Sequence, residues 1–247
     1  MIDPQLCRRV EEASLNAWPA LQQLLLDGWV IRFARGFTKR ANSVVPLYPA
    51  RQDALAKIRY CENLYAREQL KTIFRLTTVV ESEPLDALLE ARGYQRVDPT
   101  RVSIRDLADA RFATHPAFVQ LPRAQWLEAY ARIAAIPAAG QQLHAMLLAG
   151  IRTEHVFGVI ANADGPVACG IAVVERELVG LFDIITDPNI RRHGHARALV
   201  ESLLGWAGSR GAHHAYLQVV DTNGPGRALW QRLAFGDLYH YWYRVSP

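Results

Sequence analysis

Hydrophobic and polar positions along the chain alternate between two periods. Segments with a period near 3.6 residues predict amphipathic helices, and alternating or short continuous apolar segments predict strands. Helices are predicted over 5–16, 51–68, 84–92, 122–136, 143–148, 196–208 and 225–233. Strands are predicted over 24–33 (a hairpin with an Asp-Gly turn), 43–47, 72–76, 94–104, 156–160, 167–175, 179–185, 216–220 and 238–245. Runs of strands with helices between them predict an α/β or α+β fold.

Length and composition restrict the class of protein. The chain has 247 residues, of which 50% are hydrophobic and 21% are charged, so it is a folded protein of one large or two modest domains. No run approaches the ~18 apolar residues of a membrane span. The first residues show no basic region followed by an apolar one, so we expect a cytoplasmic protein without a membrane partner. Three widely spaced cysteines argue against a disulfide framework and against a metal site.

The net charge of +4 is unevenly distributed. Residues 1–105 hold 16 basic and 12 acidic side chains, whereas residues 106–247 hold 12 of each. Neither half contains a long basic run or a basic stripe interleaved with aromatic residues, which argues against nucleic-acid binding. A phosphorylated small molecule needs less positive charge than a nucleic acid does. The sequence leaves the oligomeric state open.

The segment 183–199 holds the most informative motif. A buried-type strand ends at Thr186, and a polar loop then places Arg191, Gly194 and Ala196 at R-x-x-G-x-A spacing before a helix begins. The free N–H groups of a helix start and its positive dipole end form an anion site, and residues with little side chain let a phosphate approach the backbone. The alternative interpretation is an ordinary strand-to-helix loop.

This loop resembles the acetyl-coenzyme A pyrophosphate loop of the GNAT N-acetyltransferase superfamily. Downstream, Asn223 follows a strand, and the segment 228–235 resembles the second cofactor motif, which is an Asn, a short helix and a Leu-Tyr-x-x-x-Gly-Phe ending. The resemblance covers about residues 120–245. It implies the GNAT fold, a mixed and mostly antiparallel twisted sheet flanked by helices. It also implies direct transfer of the acetyl group of acetyl-CoA to a primary amine of a small molecule or amino acid.

The resemblance also implies a cofactor site. The strands 179–185 and 216–220 should separate at a bulge near 183–186, and the backbone N–H of Ile185 or Thr186 should bond the thioester carbonyl. The N–H groups of residues 191–197 should hold the pyrophosphate. The residues predicted to contact the cofactor are Ile185, Thr186, Arg191, Arg192, His193, Gly194, His195, Ala196, Arg197, Asn223, Arg227 and Trp230.

The catalytic residues are less well determined by the motifs. The usual acid of the family is a tyrosine, but Trp230 stands at that position, and an indole N–H is only a hydrogen-bond donor. The thiolate then leaves unprotonated, takes a proton through water, or uses a tyrosine of the last strand, such as Tyr241. Candidate general bases are Asp183 and Glu175, each near a strand end beside the expected separation; the alternative for both is a solvated or ion-paired residue. Trp230 also motivates a second function, a non-catalytic acyl-CoA-binding sensor.

The first half resembles the family more weakly. Residues 84–94 are similar to the end of a second cofactor motif, but no R-x-x-G-x-G/A loop is present. We therefore expect a GNAT-like or accessory domain over 1–105, a connector over 106–120 and an acetyl-CoA-binding catalytic domain over 121–247, in a tandem arrangement. An unrelated cap is the alternative to a degenerate repeat.

A basic segment in the first half offers candidate acceptor-binding residues. They are Arg32, Arg40, Asn42 and Ser43, which would read a carboxylate on the acceptor. The alternative is a solvated hairpin with a basic face.

Overall fold

The computed structural model describes residues 3–79, 82–108 and 111–247. Met1 and Ile2 of the N-terminal segment, and residues 109 and 110 of the expected connector, lie outside the described residues. In the described part, the α-helices are α1 (Pro4–Ala17), α2 (Ala54–Arg67), α3 (Glu83–Ala91), α4 (Arg123–Ala134), α5 (Ala138–Ala149), α6 (His195–Gly208) and α7 (Gly224–Arg232). Over the same ranges, none of these helices has the length and apolar character needed to cross a membrane.

The strands belong to one mixed sheet. They are β1 (Gln22–Leu26), β2 (Trp29–Phe33), β3 (Val44–Pro46), β4 (Ile73–Thr77), β5 (Gln95–Asp106), β6 (Phe118–Gln120), β7 (Glu154–Asn162), β8 (Gly165–Glu175), β9 (Leu178–Thr186), β10 (His214–Val220) and β11 (Gly236–Val245). The spatial order is β1-β2-β3-β4-β11-β5-β10-β9-β8-β7-β6. Most neighbours are antiparallel; β3–β4 and β9–β10 are parallel. The predicted α/β class and mixed sheet are therefore confirmed.

The two halves of the chain exchange strands at the middle of the sheet. β5 comes from the first half but pairs with β10 of the second, and β11 of the second half pairs with β4 of the first. β5 and β11 also pair with each other. The predicted domain boundary at residues 106–120 stays a prediction. Hydrogen bonds of the sheet connect strands from the two sides of this boundary.

Local predictions succeed where the sequence signal is strong. The Asp27-Gly28 turn joins β1 and β2, and both residues have positive φ, 40° and 81°, as the tight hairpin turn requires. The expected connector contains a strand that was not predicted, β6, which pairs with β7 at the edge of the sheet. A strand of three residues is too short to show a period.

Alternation along the strands places a core on each face of the second half of the sheet. In β8, Cys169, Ile171 and Val173 are buried against α1, α4 and α5. The intervening Ala168, Ala172 and Val174 are buried against α6 and α7. A third core lies beneath α2 and α3. Because both alternating sets of β8 side chains are apolar, helices cover this strand on both faces.

A buried ion pair joins α1 to β4. Arg75 is 0% exposed and donates two hydrogen bonds to Glu11, at 2.7 and 2.8 Å, and the hydroxyl of Tyr239 donates to the same carboxylate. Burial by itself lowers the pKa of Arg75, but the Glu11 carboxylate together with Tyr241, Tyr243 and Tyr239 outweighs this effect and raises the pKa above its ordinary value. Arg75 therefore stays protonated in the core.

Loss of one partner of this pair should destabilise the fold strongly. Arg75→Met leaves the Glu11 carboxylate buried without its cation, so we expect the free energy of unfolding to fall by about 3–5 kcal/mol. The matched control is Arg9→Met, which removes an exposed ion pair of 2.7 Å with Glu177 and should cost about 0–1 kcal/mol. Urea unfolding of both variants measures the difference; equal losses would contradict the structural role of the buried pair.

Candidate active site

A bulge separates the two parallel strands at the centre of the second half. β9 and β10 are paired only from Leu178 with His214 to Leu181 with Leu217. Beyond that point β9 also changes register against β8: Phe182 and Ile185 face Ile171 and Cys169, so two residues of β9 oppose one of β8. The predicted separation of these strands at a bulge is confirmed.

Two backbone features make this bulge. Asp183 has a φ of 50°, in the left-handed region that Asp and Asn adopt more readily than most residues. Opposite it, Gly170 leaves room for the extra residue, because a Cβ there would lie 2.5 Å from the side chain of Ile184. The carboxylate of Asp183 is thereby held at the point where the strands part.

The space between the separated strands is a cleft of about 280 Å³. Its lining comes from β9, β10, α6 and α7, and one side chain, Arg40, comes from the first half. The residues that line it include Arg40, Asp183, Thr186, Ala196, Gln218, Asn223 and Trp230. The cleft thus joins the bulge to the start of α6.

The predicted phosphate loop has the geometry of an open helix start. Gly194 is the N-terminal cap of α6, with a φ of 80°, and a Cβ on it would meet no atom within 4 Å. Arg191, Arg192 and His193 are exposed, and the rings of His193 and His195 stack at 6.0 Å. The first N–H groups of α6 have no acceptor inside the helix, so they are free for an anion.

The second predicted cofactor motif shapes the other wall. Asn223 caps α7 by accepting a hydrogen bond of 3.0 Å from the N–H of Gly226. Trp230 lines the cleft and packs edge-on against Phe235. Arg227 lies outside the cleft lining and borders a smaller hollow beside Arg101. Of the three predicted contact residues in this motif, the structure therefore brings Asn223 and Trp230 to the cleft.

Asp183 has partners that the sequence did not reveal. His144 of α5 lies with its Nε2 2.8 Å from Oδ2, and the hydroxyl of Tyr130 of α4 donates to Oδ1 at 3.3 Å. His144 is 3% exposed and is surrounded by the rings of Trp18, Phe37, Trp126 and Tyr130. Burial, followed by the Asp183 carboxylate, raises the pKa of Tyr130, so this hydroxyl keeps its proton and remains a donor.

The predicted acceptor residues separate in the structure. Arg40 reaches the cleft, but Arg32 is fully buried and donates to the backbone carbonyls of Leu15, Trp18 and Arg40. Burial lowers the pKa of Arg32 to about 10. The expectation that Arg32 faces an acceptor is therefore wrong. Its hydrogen bonds instead connect α1 to the loop after β2.

Asn42 and Ser43 also lie away from the cleft lining. The side-chain oxygen of Asn42 accepts hydrogen bonds from the N–H groups of Ala34 and Gly36, at 2.9 and 3.1 Å. Ser43 is buried in the first half. Asn42 therefore shapes the loop that carries Arg40, and of the four candidates only Arg40 lines the cleft.

Glu175 is the last residue of β8, and it lies beside the start of β9 rather than beside the bulge. It faces Leu178 at the start of that strand and accepts from the side chain of Asn16. Leu178 and Asp183 are five positions apart, which is roughly 17 Å of strand. The structure corrects the expected position of Glu175 beside the bulge, because both ends of a strand show the same sequence pattern.

Tyr241 is buried one layer behind the cleft. Its hydroxyl donates to the Oε1 of Gln218 at 3.3 Å, and the guanidinium of Arg75 lies over its ring at 4.0 Å. Although burial opposes ionisation, the charges of Arg40 and Arg75 lower the pKa of Tyr241. Tyr241 thus reaches the cleft through Gln218.

A family comparison identifies the chain. The model described as "Probable histone acetyltransferase Rv0428c C-terminal" matches residues 6–244. The chain belongs to this acetyltransferase family, within the GNAT superfamily. It is an acyltransferase, and the predicted superfamily is confirmed.

Two curated relatives are similar over most of the chain. The "Uncharacterized N-acetyltransferase YobR" of Bacillus subtilis is 23% identical, over 97% of this chain and 98% of that protein. The "Probable histone acetyltransferase Rv0428c" of Mycobacterium tuberculosis is 27% identical, over 87% of this chain and 66% of that protein. The chain therefore spans only about two thirds of the mycobacterial relative.

Solved structures share the fold. A GCN5-related N-acetyltransferase from Kribbella flavida has a TM-score of 0.72 and 16% identity, over 97% of this chain and 95% of that one. A tandem GNAT protein from the clavulanic acid biosynthesis pathway has a TM-score of 0.61 and 12% identity, over 83% and 74%. At these identities, the similarity to the solved structures shows only that this acetyltransferase shares their fold.

Within the described ranges, no group of three or more His, Cys, Asp or Glu side chains is placed to hold a metal ion. The polar groups at the bulge of this acetyltransferase are instead paired with one another, as Asp183 is with His144 and Tyr130.

His144 should act as a positioning residue for Asp183. We expect His144→Leu to lower kcat by about 10- to 100-fold with little change in the affinity for acetyl-CoA, because the carboxylate loses the partner that orients it. His144→Gln keeps a side-chain N–H donor and should recover part of the rate. Steady-state kinetics with calorimetry measures both; equal defects in the two variants would indicate a packing role only.

Proposed function

We propose that the protein transfers the acetyl group of acetyl-CoA directly to the primary amine of a small molecule or amino acid. The observation that carries this proposal is the cleft between β9 and β10, which runs from Asp183 to Ala196 at the start of α6. One end offers a carboxylate and the other offers the N–H groups of a helix start. A carboxylate accepts the proton of an acceptor amine, and the N–H groups bind the phosphates of a phosphorylated donor.

Polar atoms of the cleft fit a donor of this kind. Thr186 Oγ1 and Gln218 Nε2 are buried without a hydrogen-bond partner, and both residues line the cleft. Buried polar atoms are ordinarily paired, so these two indicate a polar chain, such as one bearing amides, between the strands. Acetyl-CoA supplies the activated acetyl group on a thioester.

The loop before α6 is the proposed pyrophosphate site. The N–H groups of residues 191–197 would hold it, helped by the positive end of the helix dipole. The half of the chain that contains this loop has no net positive charge. Backbone donors rather than side-chain cations then provide the attraction for the polyanion.

The backbone favours Thr186 over Ile185 as the donor to the thioester carbonyl. The N–H of Asp187 donates to Val167 of β8 at 2.9 Å. Because alternate residues of a strand direct their N–H groups to the same side, the N–H of Thr186 faces away from β8, toward the cleft. A donor held there would stabilise negative charge on the carbonyl oxygen.

Asp183 is the proposed base. Its carboxylate lines the cleft, and its two oxygens are each oriented by a neighbour, His144 or Tyr130. It would take the proton that the acceptor amine loses, directly or through water. The role of Tyr241 as an acid stays a prediction: Gln218 lies between its hydroxyl and the cleft, so its clearest contribution is to orient that amide.

The competing function is a non-catalytic acyl-CoA sensor, favoured by the buried Trp230 at the position of the usual tyrosine. Release of free thiol from acetyl-CoA, followed with a thiol reagent across a panel of amines, separates the two. Turnover with any amine supports the enzyme. Tight binding of acetyl-CoA without turnover on the whole panel supports the sensor.

Gly194→Glu should remove acetyl-CoA binding. The new carboxylate would lie at the proposed pyrophosphate site, and we expect the affinity to fall by more than about 100-fold, since a like charge is introduced where an anion binds. Gly194→Ala is the matched control, because it carries the cost of a side chain at a φ of 80° without the charge. Calorimetry with acetyl-CoA measures both variants. Retained affinity in Gly194→Glu would refute the assignment of the loop.

Asp183→Asn should lower turnover and leave donor binding intact. The amide keeps the shape of the carboxylate but accepts no proton, so we expect kcat to fall by about 10²- to 10³-fold. Asp164→Asn, in an exposed turn after β7, is the matched control and should keep full activity. Unchanged turnover of Asp183→Asn across pH would assign the base to another group.

A further inference from the structure

Arg40 is a cation in the cleft without an ion-pair partner. Among the described side chains, no carboxylate lies within 4.0 Å of its guanidinium, although the protein forms such pairs at Arg75, Arg101 and Arg244. The Nε of Arg40 is buried and has no hydrogen-bond acceptor. Arg40 as a whole is half-buried, and its buried Nε is a donor that an anion in the cleft would satisfy.

The surroundings hold Arg40 in place at the cleft. Its guanidinium lies over the ring of Trp18, 5.6 Å from the ring centre. Its backbone carbonyl accepts a hydrogen bond of 2.7 Å from the buried Arg32. Arg40 therefore occupies a built position, and its lack of an anion partner is not the result of a free surface side chain.

Arg40 and Asp183 line the same cleft with opposite charges. A carboxylate attracts an ammonium group, and a guanidinium binds a carboxylate through two parallel hydrogen bonds. A molecule that carries both an amine and a carboxylate would satisfy the two side chains together. A lysine side chain of a polypeptide would satisfy only Asp183 and would leave Arg40 unpaired.

We propose that Arg40 binds a carboxylate of the acceptor, so that the acceptor is an amino acid or another small amine bearing a carboxylate. This inference rests on the proposed function, N-acetyl transfer from acetyl-CoA. It narrows the acceptor class to small molecules, whereas the name of the mycobacterial relative refers to a protein substrate, histone, of that relative.

The test compares acceptors that differ only in the carboxylate. Free amino acids, their α-amides and a capped lysine peptide are assayed with the full chain, Arg40→Gln and Arg40→Lys. The control variant is Arg35→Gln, an exposed arginine five residues earlier on the same loop. For the unaltered protein we expect kcat/KM to be highest on free amino acids.

The expected result is selective. Arg40→Gln should lower kcat/KM by about 100-fold on free amino acids and by less than about threefold on the amides, because only the former lose a charged hydrogen bond. Arg40→Lys should fall between, and Arg35→Gln should match the unaltered protein. The thermal midpoint and the affinity for acetyl-CoA, measured for each variant, separate this effect from unfolding.

Four outcomes would overturn the inference. Equal losses on acids and amides would assign Arg40 to the donor. A preference of the unaltered protein for amides or for the lysine peptide would refute the carboxylate independently of any variant. Binding of acetyl-CoA with no turnover on any amine would refute the proposed function itself, whereas turnover without selectivity refutes only the role of Arg40.

Discussion

The parallel contact between β9 and β10 is short, and the candidate site depends on where it stops. After Leu181 the strands separate, because β9 holds two residues opposite one residue of β8. The bulge uses the space above Gly170 and the positive φ of Asp183. One irregularity therefore opens the cleft, aims a carboxylate into it and directs the end of β9 toward the start of α6. A regular ladder in this place would close the cleft and bury the same residues in the core.

The first half repeats this order of elements without the site. β3, α2 and β4 follow one another in the same order, and with the same parallel strands, as β9, α6 and β10. The next strand of each half then pairs with the other half: β5 lies beside β10, and β11 lies beside β4. In the first half, however, the N–H groups of Arg51 and Gln52 donate to Asp27. The bond from Gln52 is the main reason that the pKa of Asp27 lies below its ordinary value. The protein's own carboxylate thus takes the donors before α2 that a bound anion would need. This supports the interpretation of the first half as a degenerate GNAT-like repeat.

Features carried by local sequence were predictable, and those made by contacts between distant segments were not. The spacing of Arg191, Gly194 and Ala196 reports a strand-to-helix loop, because backbone geometry there depends on neighbours in the chain. His144 gives no local signal: it is an isolated histidine on a helix, and it becomes informative only when α5 packs beside Asp183. Charged residues ordinarily face water, so the sequence does not indicate that Glu11 and Arg75 are buried. Their burial depends on the ion pair between them, which joins residues 64 positions apart.

The division of charge between the halves fits the proposed roles of the two halves. The second half binds a polyanion in our proposal with backbone donors and carries no net charge. The excess cations belong to the first half, and the one that reaches the cleft, Arg40, is held there by Arg32 and Trp18. The Glu11–Arg75 pair fixes α1 against β4, and Trp18, which follows α1, lies against His144 and Phe182. In our proposal, donor binding and acceptor recognition depend on different halves of one sheet: the second half provides the anion site, and the first half provides Arg40 for the acceptor.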